Sequence, residues 1–200
     1  MYLSATMQLY YNYPNETQVG VDEAGRGCLL GPVVAAAVVW DSNVSHEGIN
    51  DSKKLSRKRR AQLREYIETH AIAYGVGMAS RQEIDQMNIL QATYLAMHRA
   101  LDQIVVPFDR ILVDGDRFPP YRVNVHHCCT GGDALYVPIA AASILAKEHH
   151  DEWILNHFPE DQRYDLRNNR GYGTKKHMEG LTTHGLCDEH RRTFCKRFLT

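Results

Sequence analysis

The 200-residue sequence has no apolar run long enough to cross a bilayer: its longest, Pro32 to Trp40, falls far short of the roughly 20 residues that a span requires. Its first residues, MYLSATMQLYYNYPNETQ, lack a basic patch followed by an apolar segment, so neither secretion nor membrane insertion is expected. Cysteine is scarce and irregular. The five cysteines, an odd number with no repeated CxxC spacing, do not make a disulfide framework and suit a reducing compartment, so a cytoplasmic protein is expected. Net charge is nearly absent too. At −1 there is no overall field to draw in a polyanion, and a nucleic-acid footprint would have to be a local basic face. No internal repeat, low-complexity tract or linker divides the chain. Residues 1–17 read as an N-terminal tail ahead of one domain over 18–200, and a monomer is expected.

What is present suffices for a packed core, with 44% hydrophobic and 24% charged residues. Gln18 to Asp22 and Pro32 to Trp40 are rich in valine and alanine and read as two strands around a glycine turn. Ser56 is placed to cap a helix running through Thr69, with Leu63, Ile67 and His70 along one side. Ala71 to Ala79 reads as a third strand, loosened by Gly75 and Gly77. Asn88 to Val106 reads as a long helix stopped by Pro107, with Leu90, Tyr94, Met97 and Leu101 on its buried face. Arg110 to Asp114 and Tyr121 to Val125 read as short strands, and Pro138 opens a helix to about Phe158. Shorter helical stretches are expected at Lys175 to His184 and His190 to Phe198. Trp40 and Trp153 read as core. Strands first and helices after them give an α/β layered domain with a mixed sheet.

Asp22 and Glu23 stand back to back where the first strand ends, ahead of Gly25-Arg26-Gly27. RILVDGD ends another strand on Asp114. If the two strands pair, about 4.8 Å apart, the two aspartates lie side by side. Asp133 sits in a glycine-loosened segment just before a helix. Four oxygen donors, with no His or Cys required among them, suit Mg²⁺ or Mn²⁺ rather than zinc. Two such ions roughly 4 Å apart would activate a water and stabilise a leaving oxygen at phosphorus. A strand-end aspartate taken singly reads equally well as a turn former or helix cap. The run His126, His127, Cys128, Cys129 does not make a zinc site, because consecutive strand residues point to opposite faces. Cys28 reads as a packing residue.

GVDEAGRGCLLGPVVAAAVV, NDSKKLSRKRR, ILVDGD, IAAASILAK, RGYGTKKH and HRRTF resemble, in order and spacing, the ribonuclease HII family over roughly Val19 to Phe198. The resemblance implies a ribonuclease H-like fold, a mixed β-sheet flanked by helices with a helical C-terminal part. It implies metal-dependent hydrolysis of RNA in RNA–DNA hybrids and at single ribonucleotides embedded in duplex DNA, cutting 5′ of the ribonucleotide, as in ribonucleotide excision. Position by position, Asp22, Glu23, Asp114 and Asp133 match the family's metal-binding acids. Gly25, Arg26 and Gly27 match the loop whose backbone approaches the ribose 2′-hydroxyl, and Tyr172 matches the tyrosine that packs on the junction sugar. Lys53 and Lys54 fall in the DSKKL loop, which borders substrate in the family.

Ser143 and Lys147, four apart on one helix face, are expected to meet a phosphate oxygen together. The family commonly carries lysine where this chain has Gly131, and Val-x-Arg-Asp where it reads Glu148 to Asp151. The latter removes an arginine and supplies His149 and His150, expected to replace part of its charge below neutral pH. Lys53 to Arg64 and Arg163 to Arg197 are basic stretches, read either as phosphate contacts or as solvated faces. Two other readings stay open, a non-catalytic nucleic-acid binder and a DNA nuclease on the same fold. A 2′-hydroxyl reader in the Gly25-Arg26-Gly27 turn and Tyr172 argues against the DNA nuclease.

Overall fold

The computed structural model describes residues 7–9, 12–122 and 125–199. Five strands, β1 (Gln18–Ala24), β2 (Val33–Val39), β3 (Ala73–Ala79), β4 (Arg110–Asp114) and β5 (Val125–Cys129), form one sheet in the order β3-β2-β1-β4-β5. β1 and β2 form the expected antiparallel pair, β3 adds antiparallel to β2, and β4 and β5 add parallel on the other side. The helices are α1 (Arg57–His70), α2 (Arg81–Met87), α3 (Ile89–Leu101), α4 (Val137–His157), α5 (Leu166–Asn169) and α6 (Lys175–His184).

The central strands are covered on both faces. Val19, Val21, Ala35 and Ala37 pack under Ala92, Ala96, Met97 and Ala100 of α3, while Ala36 and Val38 face α1 and α4 through Leu63, Ile67, Ala141 and Ile144. This is why β2 shows no alternation: all seven of its residues are buried. Gly75 and Gly77 do not loosen β3, which pairs with β2 over its whole length. They admit the helix instead, since a Cβ on Gly77 would lie 2.1 Å from the Ala96 carbonyl oxygen of α3.

Ser56 caps α1 as expected, accepting the Arg59 N–H, and Leu63 and Ile67 are buried. His70 is exposed, and Arg60 completes the inner face in its place. Asn88 caps α3 through the Leu90 and Gln91 N–H groups, but the helix ends at Leu101 rather than Val106. There the Gln103 and Ile104 N–H groups turn back to Ala100 and Leu101, which tightens the chain and seats Ile104 in the core. α2 was not anticipated; its signal is Ser80-x-x-Glu83, a complete capping box. The strand expected over Tyr121 to Val125 starts only at Val125, and its residues 123 and 124 lie outside the described ones.

α4 and α6 match their expected spans. His190 to Phe198 is mostly turn, with a single 3₁₀ turn at Lys196–Phe198, because its side chains pack inward onto Leu30, Ile154 and Tyr164 in a third cluster. Trp40 is buried. Trp153 is only partly buried, stacked on His157 beside this cluster. Of the N-terminal residues, 1–6, 10 and 11 lie outside the described set. Gln8 bridges to Tyr136, and Glu16 forms a two-pronged ion pair with Arg110 at 2.6 and 3.0 Å.

Candidate active site

The parallel register of β1 and β4 aligns Val21 with Val113, so the next residues, Asp22 and Asp114, lie side by side, Asp22 still paired with β2 and Asp114 with β5. Asp133 enters from the 3₁₀ turn Gly132–Ala134 ahead of α4. That turn is tied to β4, because the Gly132 N–H donates to Asp114 Oδ1 at 2.8 Å. Carboxylate oxygens of Asp22, Asp114 and Asp133 all lie within 4.8 Å of one another. Glu23 stands beside this triad and faces Arg26, Oε1 to Nη1, at 3.1 Å. The structure therefore gathers three of the four expected acids and leaves the fourth on an arginine.

This cluster is short of positive charge. Burial pushes the Asp22 carboxyl well above the usual range, and Glu23 and Asp114 add to the push. Burial, then Asp114 and Asp51, raise Asp133 likewise, opposed by Lys53, whose ammonium lies 3.4 Å from Asp133 Oδ2. Burial raises Glu23 too, with Arg26 pulling the other way. Three converging oxygen donors whose negative charge is incompletely balanced fit a hard divalent cation, and the triad can hold one.

Beyond Glu23 the chain turns sharply. Gly25 takes φ +86°, and a Cβ there would lie 2.5 Å from the His150 ring, so the turn requires glycine twice over. Cys28 bridges antiparallel to Tyr172, which brings the second expected reader against the first. Tyr172 is 38% exposed, and its ring lies 6.3 Å from the His150 ring. Cys28 is fully buried, its thiol pushed up to about 12 by burial, which agrees with a packing role.

Ser143 and Lys147 have different partners. Ser143 is buried, its Oγ 3.0 Å from Ser52 Oγ, while the Lys147 ammonium sits 2.7 Å from Asp151 and 5.2 Å from the Tyr172 ring centre. Burial lowers the His149 and His150 imidazoles, so the charge they can supply in place of the arginine comes only at a lower pH than for a free imidazole. His150 packs under the Gly25 turn, Nε2 3.6 Å from Cys28 Sγ and Nδ1 3.2 Å from Asp151. Arg60 and Arg64 pair with Glu148 and Glu152 of α4, so they serve the helix contact, whereas Lys53 and Lys54 are exposed at the rim. Sequence reasoning missed Arg191. Its guanidinium is fully buried behind the Gly25 turn, and nothing in HRRTF says which of the two arginines goes inward.

A sequence profile described as Ribonuclease HII matches residues 19–199. Ribonuclease HII of Porphyromonas gingivalis is 48% identical over 177 residues, 88% of each chain, and that of Parabacteroides distasonis is 47% identical over 188 residues, 94% of each. Among solved structures, the ribonuclease H2 of Pyrococcus horikoshii OT3 superposes with a TM-score of 0.73 at 25% identity, covering 91% of this chain and 98% of that one. The RNase HII of Archaeoglobus fulgidus, solved in complex with PCNA, gives 0.67 at 26% identity over 88% and 93%. The mixed sheet and its helices are thus those of a ribonuclease H fold, and the chain belongs to the ribonuclease HII family of endonucleases.

Proposed function

We propose that this endonuclease hydrolyses RNA in RNA–DNA hybrids and cuts on the 5′ side of single ribonucleotides in duplex DNA, leaving a 3′-hydroxyl and a 5′-phosphate. The observation that carries the reading is the Asp22, Asp114 and Asp133 cluster, set one turn away from the Gly25-Arg26-Gly27 loop and Tyr172. In the reaction, water forms a new bond to phosphorus and the bond from phosphorus to the preceding nucleotide's 3′-oxygen breaks. Mg²⁺ or Mn²⁺ held by Asp22, Asp114 and Asp133, with Glu23 alongside, would supply positive charge to the attacking water and the departing oxygen. The Glu23 N–H steadies Asp22, and the Gly132 N–H steadies Asp114. Arg26 holds Glu23 until substrate arrives. The Gly25 turn offers backbone groups to the 2′-hydroxyl, and the exposed Tyr172 ring offers a face to the neighbouring sugar. Lys53 and Lys54 contact phosphates at the rim.

Tyr172→Ala tests the positioning role. Cleavage of a duplex with one ribonucleotide should fall about 10- to 100-fold, while duplex binding changes by less than about threefold. A variant that cuts at the wild-type rate would remove Tyr172 from the reaction.

A further inference from the structure

The Gly25 turn is held from behind by one side chain. Arg191, completely buried, donates from Nη2 to the carbonyls of Gly25 and Pro32 at 2.8 Å each, from Nη1 to Arg26 O at 2.9 Å and from Nε to Gly31 O at 2.9 Å. The peptide group is planar and trans, so a carbonyl and the N–H that follows it point in opposite directions. With the Gly25 and Arg26 carbonyls turned onto Arg191, the Arg26 and Gly27 N–H groups must point away from it. The same segment reaches Tyr172. The Cys187 N–H donates to His190 Nδ1, His190 and His177 meet Nε2 to Nε2 at 3.0 Å, and His177 Nδ1 lies 3.0 Å from the Tyr172 carbonyl. Because His190 Nδ1 accepts, its Nε2 must donate, which leaves His177 Nδ1 to donate to Tyr172. Adjacent residues of the C-terminal segment thus fix both elements.

We infer that Arg191 is a positioning residue for the cleavage reaction: by collecting the carbonyls of the Gly25 turn it aims that turn's backbone N–H groups at the ribose 2′-hydroxyl. This rests on the reading of the turn as the 2′-hydroxyl reader. Lysine cannot replace it, because one ammonium is a point donor and cannot span four carbonyls that a planar guanidinium reaches. Burial lowers the guanidinium to about 10, which still leaves it charged at neutral pH.

The test uses the full-length enzyme and two duplexes, one carrying a single ribonucleotide and one carrying a 2′-fluoro-2′-deoxynucleotide at the same position. Arg191→Lys and Arg191→Gln are compared with wild type by kcat, KM and far-UV circular dichroism. In at least one folded variant, kcat on the ribonucleotide should fall about 10- to 100-fold with KM within about threefold, and the preference over the fluoro duplex should shrink. A purely structural residue would instead lower the amount of active enzyme and leave that preference unchanged. Equal cutting of both duplexes by the wild type would overturn the turn's assignment and Arg191's with it. A discriminating wild type beside variants that discriminate equally well would overturn Arg191's role alone. Loss of the folded state in both variants also overturns it, since Arg191 would then serve the fold at large.

Discussion

Replacing Asp22 by Asn should make the protein more stable in EDTA while abolishing cleavage. Two full charges 4.8 Å apart, the outer limit of the acid cluster, repel by about 3.5 kcal/mol at an effective dielectric near 20. Asp22 escapes part of this by holding its proton to higher pH, so the recoverable gain is smaller, about 1–2 kcal/mol near pH 7.5. For a chain of this length that is a rise in Tm of roughly 2–8 °C. Asparagine keeps the oxygen that accepts the Glu23 N–H at 2.7 Å and loses only the charge. The pH dependence has a definite sign. A carboxyl whose folded pKa is raised costs nothing below its unfolded value of 3.8, and its cost grows as pH climbs from there to the folded value and is constant above it. The Asn advantage should therefore be smaller at pH 5 than at pH 8. Added Mg²⁺ should narrow it from the other side, raising the wild type by about 2.7 kcal/mol at a hundredfold excess over Kd and the variant by less. Thermal unfolding monitored by circular dichroism, at both pH values with EDTA or Mg²⁺, measures all four quantities. An Asp22→Asn protein less stable than wild type in EDTA at pH 8, or an advantage that does not change with pH, would refute the reasoning.

Lys53→Ala combined with Lys54→Ala should reduce the slope of log binding constant against log salt by about 1–2, since each phosphate contact contributes about 0.9; duplex binding across a salt series in EDTA checks it. Acid should unfold the protein through its buried histidines. His150, His177 and His190 are all lowered by burial, His190 to about 4, so below the unfolded value of 6.5 the unfolded chain binds protons that the folded one refuses, and stability falls as pH falls. His190 alone accounts for up to about 3 kcal/mol by pH 4, and His190→Gln should flatten the decline of Tm between pH 6.5 and 4.5.

The parts of the fold that were legible are those set by local rules. Ser56 caps α1 with its own side chain, Pro138 opens α4, and apolar runs mark β1, β2 and β4. The pairing of Asp22 with Asp114 followed because two strand ends carried the same acid at the same point. What stayed hidden depends on where long side chains settle. Lys147 pairs with the carboxylate of Asp151, one turn along, which the spacing of Ser143 and Lys147 did not reveal. Arg191 and Arg192 are chemically identical neighbours, and only the cavity behind Gly25 decides that the first is buried. The histidines at 149 and 150 looked like surface charge because burial has no signature in two polar letters, and α2 was passed over although its capping box was readable.

The most direct test is strand cleavage on two duplexes that differ by one oxygen, a DNA duplex with a single ribonucleotide and its all-DNA counterpart, with Mg²⁺ or Mn²⁺ and with EDTA. The ribonucleotide strand should be cut only with metal, at one position 5′ of the ribonucleotide, and at least about 10⁴-fold faster than DNA, the discrimination that a site built to hydrogen-bond a hydroxyl achieves. Comparable cutting of the all-DNA duplex, or undiminished cutting in excess EDTA, would contradict a carboxylate-held metal working beside a 2′-hydroxyl reader.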